Sequence, residues 1–367
     1  MDTPRYTHLV QNLPSSTPFV GPETQERETG IKFDARIGAN ENGFGPSPKA
    51  VQAMKAAAAE SWMYGDPESY DLRKAIAEAM GVQMANVVVG EGIDGLLGYL
   101  TRLLIEPGDT VVSSAGAYPT FNYHVAGFGG VVETVPYLDD HEDLQALIAK
   151  AKETDAKLIY FANPDNPMGT WHNGDEITAQ LEHIPDGCLL ILDEAYVELA
   201  PDGIASQYPV EHPKVIRMRT FSKGYGLAGA RVGYAMGAAE LIKSFDKIRN
   251  HFGMNRASQA AALAALGDQK WLERTRERVA KARQRIADIA TQNGMTAIPS
   301  ATNFVAIDTG RDAAFAKAIL EGLANKGVFI RMPFVAPQNR CIRVSCGPDL
   351  ELDILAEKLP EVLENLD

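Results

Sequence analysis

Very little in this chain can bridge, anchor or coordinate. Three cysteines occur in 367 residues, Cys188, Cys341 and Cys346, with no CxxC spacing and no way for all three to pair with one another. A disulfide scaffold is excluded, and Cys188, opening the apolar run to Leu192, reads as a small hydrophobe in a reducing cytoplasm. No uninterrupted apolar stretch approaches bilayer length, and the start lacks a basic-then-apolar leader profile, so neither a membrane partner nor export is expected. Seven scattered histidines offer no metal-ligand spacing. Positive charge is scarce as well: a formal charge of −13 argues against nucleic acid and anionic membranes, because such a surface gains nothing from counterion release.

What is present is the pattern of a soluble α/β protein. Apolar runs at Asn86 to Val89, Thr110 to Val112, Val131 to Val135, Lys157 to Phe161, Leu189 to Leu192, Val215 to Met218 and Val232 to Met236 alternate with helical segments. Strands apolar on both faces and separated by helices predict a mostly parallel central sheet covered by helices. Ser47-Pro48 reads as a cap and first-turn proline opening a helix, and a second helix is expected over Asp71 to Met80. Past Gly237 come helices near Ala239 to Arg249 and Ala257 to Leu266, then a long charged helix over Gln269 to Gln292. Strands near Asn303 to Asp308, Val328 to Arg331 and Cys341 to Ser345 follow, in a smaller α/β unit. The expected division is an irregular arm over 1–38 packing on the small unit, a large domain over 39–248, connecting helices over 249–293 and a small domain over 294–367.

Two glycine patterns compete for attention. Gly90-Glu91-Gly92-Ile93-Asp94-Gly95 follows a predicted strand and opens a helix, the context of a dinucleotide fingerprint, and makes an NAD-dependent dehydrogenase a rival reading. The next strand ends in Ser113-Ser114, with no carboxylate for a ribose. Gly224 to Gly229 runs into a strand and fails on context. What survives is an anion site at the helix start after Gly92.

The decisive set is Asn163-Pro164-Asp165-Asn166-Pro167-Met168-Gly169, Asp193-Glu194-Ala195-Tyr196 and Thr220-Phe221-Ser222-Lys223, with Arg231 eight residues on. Lys223 supplies an amine for a Schiff base, and Asp193, at a strand end, a carboxylate for a ring nitrogen. Tyr196 and the amide of Asn166 can reach a phenolic oxygen, and Arg231 can pair with a phosphate. These are the groups that pyridoxal phosphate requires.

With Ala39-Asn40-Glu41-Asn42-Gly43-Phe44-Gly45-Pro46, Tyr64-Gly65-Asp66-Pro67, Tyr118-Pro119-Thr120-Phe121 and Ile342-Arg343-Val344, these motifs resemble the fold-type-I pyridoxal-phosphate aminotransferases of class I/II over nearly the whole chain. Within them the resemblance is to the histidinol-phosphate aminotransferase branch. It implies that Lys223 forms the Schiff base and shuttles the proton, that Asp193 binds the ring nitrogen and that Phe121 stacks on the ring. It implies that Gly92, Ile93, Asp94, Ser222 and Arg231 hold the phosphate, and that Tyr64 reaches the phosphate in a second subunit of a homodimer with shared active sites. Arg343 would clamp the substrate carboxylate, with Arg331 and Asn42 completing the substrate side. The expected reaction is exchange between an amino donor and an oxo-acid acceptor, such as histidinol phosphate with 2-oxoglutarate. An aromatic or broad-specificity aminotransferase is the alternative, and a non-catalytic cofactor-binding regulator a further one. Met168 where threonine is usual, and the apolar residues after Arg331, set the chain off the main line of that branch.

Overall fold

The computed structural model describes residues 4–15 and 20–366. Its centre is a seven-stranded sheet in the order β2-β8-β7-β6-β5-β3-β4. The strands are β2 (Val87–Gly90), β3 (Thr110–Ser114), β4 (Val131–Val135), β5 (Leu158–Ala162), β6 (Leu189–Asp193), β7 (Val215–Thr220) and β8 (Gly233–Met236). From β7 to β4 all neighbours are parallel, and β8 runs against both β7 and β2. Every residue of β5 and β6 is buried, which accounts for their unbroken apolar sequence. Because β8 alone is reversed, the carboxyl ends of the other six strands lie along one edge. Asp193, Asn163, Thr220 and Gly90 are therefore delivered to the same rim, where open parallel sheets collect ligands.

The predicted helices form for the expected local reasons. Ser47 Oγ accepts from the Lys49 amide at 3.1 Å with Pro48 in the first turn, and the helix runs Pro48–Ala58. It packs with Arg256–Leu266, capped by Asn255 on the Ser258 amide. Gln269–Gln292 turns Leu272, Thr275, Val279, Ala282, Ile286 and Ile289 inward at helical spacing while its charged residues face outward. Two expectations change. The helix from Ala239 stops at Ser244, whose hydroxyl turns back onto the Leu241 carbonyl at 2.6 Å, and continues as a single tighter turn, Phe245–Lys247. The arm is not wholly irregular: Pro22–Thr29 is a helix with proline in its first turn and Gly30 in the left-handed conformation at its end.

The C-terminal part has its own core. β9 (Thr296–Ala297), β10 (Phe304–Asp308) and β12 (Cys341–Ser345) form an antiparallel sheet, backed by helices Ala313–Asn325 and Asp349–Leu363. β1 (Ala35–Arg36), from the arm, pairs in parallel with β11 (Val328–Phe329), and Ala35 and Ile37 join the core of Ile286, Ile319, Ile342 and Leu355. Truncating one of those buried isoleucines to alanine should cost about 2–5 kcal/mol. Cys188, Cys341 and Cys346 are buried free thiols, and no helix among the described residues is long and apolar enough to cross a membrane.

Candidate active site

The rim of the large sheet gathers the groups that the sequence scattered. Asp193, at the end of β6, is buried. Its Oδ2 accepts from the Tyr160 hydroxyl at 2.6 Å and its Oδ1 from the Ala195 amide at 2.9 Å. Burial pushes its carboxyl up to about 6, against the relief given by Tyr160. Lys223 Nζ donates to the Asn40 carbonyl at 3.0 Å and stands 5.6 Å from the centre of the Tyr196 ring. Burial, then the neighbouring Arg343, push its ammonium down to about 8, so a neutral amine is within reach at mild pH.

Tyr196 is buried edge-on against Phe304, and its hydroxyl accepts from Asn40 Nδ2 at 3.3 Å and Asn166 Nδ2 at 3.4 Å. Burial raises its pKa above the usual tyrosine range, so it remains a phenol able to donate. The other end of the Asn166 amide accepts from Arg343 Nη1 at 2.6 Å. Arg343 lies over the Phe304 ring, and burial lowers its guanidinium to about 10. Its Nε has no protein partner although it is buried, a donor left for an anion.

The anion cradle is built around Gly92. Its φ of +80° suits glycine, and a Cβ there would lie 2.6 Å from Arg231 Nη2. Ile93 and Asp94 continue into the helix Gly92–Leu104, whose first amides face this point. Arg231, also left-handed at φ 53°, donates to the Ala228 carbonyl at 3.1 Å and lies 3.4 Å from Asp94. Ser222 hydrogen-bonds Thr220 Oγ1 at 2.9 Å, close to where β7 meets β8.

Two expectations are corrected. Phe121 is fully buried and stacked on Tyr160 at 5.1 Å, beneath Asp193, with no face open to the cleft. Tyr118, three residues earlier, is half-buried and donates its hydroxyl to Asp94 Oδ1 at 3.0 Å. Asn42 spends its amide holding the chain: Nδ2 donates to the carbonyls of Lys223 at 2.9 Å and Gly224 at 3.3 Å, and Oδ1 accepts from the Phe44 amide. It supports the lysine loop and leaves nothing for a substrate. Tyr64, which would be a core residue if read by itself, is 77% exposed, its ring tilted at 40° against Phe252.

Arg331 and Arg343 are joined through their backbones, N to O at 3.1 and 2.7 Å, so the two side chains do share a neighbourhood. The Arg331 guanidinium, however, donates to the Val20 carbonyl at 2.6 Å and covers the Phe329 ring. Sequence reasoning passed over Asn40, Tyr160 and Tyr118. Asn40 had a signal in its place beside Asn42, but its left-handed backbone at φ 54° is a property of the folded loop.

Comparison with known proteins bears on the same rim. The family described as aminotransferase class I and II matches residues 35–359. The chain belongs to this family. A histidinol-phosphate aminotransferase from Anaeromyxobacter sp. is 38% identical over 87% of this chain and 89% of its own length. One from Carboxydothermus hydrogenoformans, designated histidinol-phosphate aminotransferase 2, is 32% identical over 97% and 99%. Among solved structures, histidinol-phosphate aminotransferase from Sinorhizobium meliloti in complex with pyridoxal-5'-phosphate matches with a TM-score of 0.96 and 52% identity, covering 100% of this chain and 99% of that one.

Proposed function

We propose that this class I and II aminotransferase binds pyridoxal phosphate and exchanges the amino group of histidinol phosphate with an oxo acid such as 2-oxoglutarate. The observation that carries the cofactor reading is the placing of a half-buried, easily neutralised Lys223 amine and the buried Asp193 carboxyl on one sheet edge. The residues fit the cofactor: Lys223 would hold its aldehyde carbon, Asp193 its ring nitrogen, Tyr196 and Asn166 its phenolic oxygen, and Gly92, Ile93, Asp94, Ser222 and Arg231 its phosphate. When bound, pyridoxal phosphate supplies an electron sink for the carbanion that proton loss at the amino-bearing carbon creates.

The protein's own part is positional and acid–base. Arg343 receives an anionic group of the substrate through its unpartnered Nε, and Asn166 keeps that guanidinium in line with Tyr196. Lys223 would be the base that takes the proton from the amino-bearing carbon and gives it back. We also infer the four-part domain division given above, a cytoplasmic location, and a homodimer in which Tyr64 serves the second site; the exposure of Trp62, Tyr64 and Phe252 supports the dimer.

One observation favours the aromatic or broad-specificity reading. Arg331 already donates to Val20, and the apolar Val335 lies against Gly116, two residues from Tyr118. Purified protein given histidinol phosphate, phenylalanine or glutamate in turn, with the cofactor spectrum followed, separates the two. Conversion by histidinol phosphate at the lowest concentration supports the first reading, and preference for phenylalanine the second.

A further inference from the structure

Where the small sheet meets the large one, the loop 165–169 rests on β10 and β12. Met168 of that loop is fully buried in one apolar cluster with Ala306 of β10 and Cys341 of β12. Two arginines, one on either side of Cys341 in the chain, cross this joint. Arg343 Nη1 reaches Asn166 Oδ1 at 2.6 Å. Arg340 has no part in the chemistry described so far, yet it is the more fully engaged of the two. Its Nη2 and Nη1 donate to Asp140 Oδ2 and Oδ1 at 2.7 and 3.2 Å, and its Nε donates to Asp308 Oδ2 at 2.7 Å. Asp308 ends β10 and lies opposite Cys341 in the small sheet, whereas Asp140 belongs to the turn that follows β4 of the large one.

We propose that Arg340 is a positioning residue, a clasp between the two sheets that keeps Arg343 aimed at the anionic group of the substrate. This fork differs from an ordinary surface ion pair. The side chains of Arg340, Asp140 and Asp308 are only 27%, 19% and 26% exposed, and two hydrogen bonds to one carboxylate fix direction as well as distance. The small-sheet end is rigid, because the Arg340 carbonyl accepts from Thr309 Oγ1 at 2.8 Å. The other end sits in an unfavoured backbone. Leu138 and His141 exchange both of their backbone hydrogen bonds at 2.9 Å, and Asp139 and Asp140 between them have φ of 48° and 62°. That is the two-residue hairpin turn for which Asn-Gly is preferred, so Asp140 holds the place of the glycine. Arg340, which takes both of its oxygens, accounts for a carboxylate there. From this turn a short path leads to the substrate clamp: the Asp140 carbonyl accepts from Thr170 Oγ1 at 2.8 Å, and the Thr170 carbonyl accepts from the amide of Asp165, the neighbour of Asn166, at 2.9 Å. One cation therefore ties the strand that carries Arg343 to the loop that orients it. Without that cation, Asp140 and Asp308 lose the charge they share across the joint.

The bearing on Arg343 rests on the aminotransferase reading; the clasp itself does not. The test compares the whole chain with Arg340→Ala, with Asp140→Gly, which suits the left-handed backbone of the turn but removes the carboxylate, and with both changes together. In the cofactor-free protein, hydrogen exchange in either single variant should be faster at Ala301, whose amide crosses the joint to the Gly169 carbonyl at 2.9 Å, and unchanged along β5 and β6. A role in overall stability alone would speed both. In the loaded enzyme, each single variant should raise KM for the oxo acid about tenfold with kcat held within about twofold, because one charge-assisted contact loses its aim while Lys223 and Asp193 stay in place. The double variant should be no worse than Arg340→Ala, since both changes break the same contact. Unchanged exchange at Ala301 would overturn the clasp, and so would losses in the two single variants that add in the double one. Faster exchange with an unaltered KM would overturn the link to Arg343. Faster exchange in the variants of a protein that performs no amino exchange would instead overturn the reading of the site and leave the clasp standing.

Discussion

The rim of the large sheet and the edge of the small one solve different problems with similar residues. On the large rim, Asp193 ends the fully buried β6, and Lys223 follows β7 by three residues, so strands whose neighbours fix their register hold both. On the small edge, Arg331 and Arg343 ride on a single backbone bridge, and one of them is tied to the arm at Val20. On the proposed function the first region serves the reaction and the second the substrate, so displacement should act on turnover in one and on substrate choice in the other.

Substitutions can break the comparison. Lys223→Ala should remove amino exchange by several orders of magnitude and abolish any borohydride-reducible cofactor adduct, while the protein stays folded. The cofactor-free variant should be the more stable of the two at pH 7. Burying the ammonium lowers its pKa to about 8 from 10.5, a cost fully present below pH 8 and relieved as pH rises through 10.5. Denaturant unfolding at pH 7 and pH 10.5 checks this, and a wild type that gains nothing between them would contradict the buried-amine picture. Asp193→Asn should lower kcat by roughly 10²–10³-fold with cofactor still bound, the scale for losing one preorganised electrostatic partner. Turnover near normal at saturating cofactor would remove Asp193 from its role.

Substitutions on the small edge should act on KM. Arg343→Ala should raise KM for carboxylate substrates by an amount worth about 2–3 kcal/mol, with Lys a poor replacement because it cannot present a fork. Steady-state kinetics on glutamate settle it. Arg331→Ala should weaken histidinol phosphate by roughly 2 kcal/mol and phenylalanine much less. Equal losses would make Arg331 a latch for the arm, as its bond to Val20 already allows. Asn42→Ala, least of all, should cost about 1 kcal/mol of stability with a modest fall in kcat, read by thermal unfolding.

Much of the large sheet was legible because buried parallel strands carry unbroken apolar runs, and Lys223, Asp193 and Arg231 because their neighbours in sequence are chemically unusual. The errors came where one motif offers two candidates of one type. Tyr118 and Phe121 sit three residues apart at a helix start, Pro119–Gly127, and only the packing of Phe121 against Tyr160 decides which faces the cleft. Asn40 and Asn42 pose the same problem: both are buried, and only the folded loop shows that Asn40 meets Lys223 and Tyr196 while Asn42 braces the lysine loop.

Asn40 also carries a consequence for biosynthesis. Its amide donates to Ser345 Oγ at 2.9 Å, and its carbonyl receives Lys223, so the lysine's resting place is braced by a residue 305 positions downstream. At ribosomal rates of 5–20 residues per second, roughly 15–60 s separate the two ends of that contact. The large sheet can fold on the ribosome in that interval with its reactive amine not yet parked, and a nascent chain arrested before Ser345 would carry the catalytic lysine without the brace that holds it.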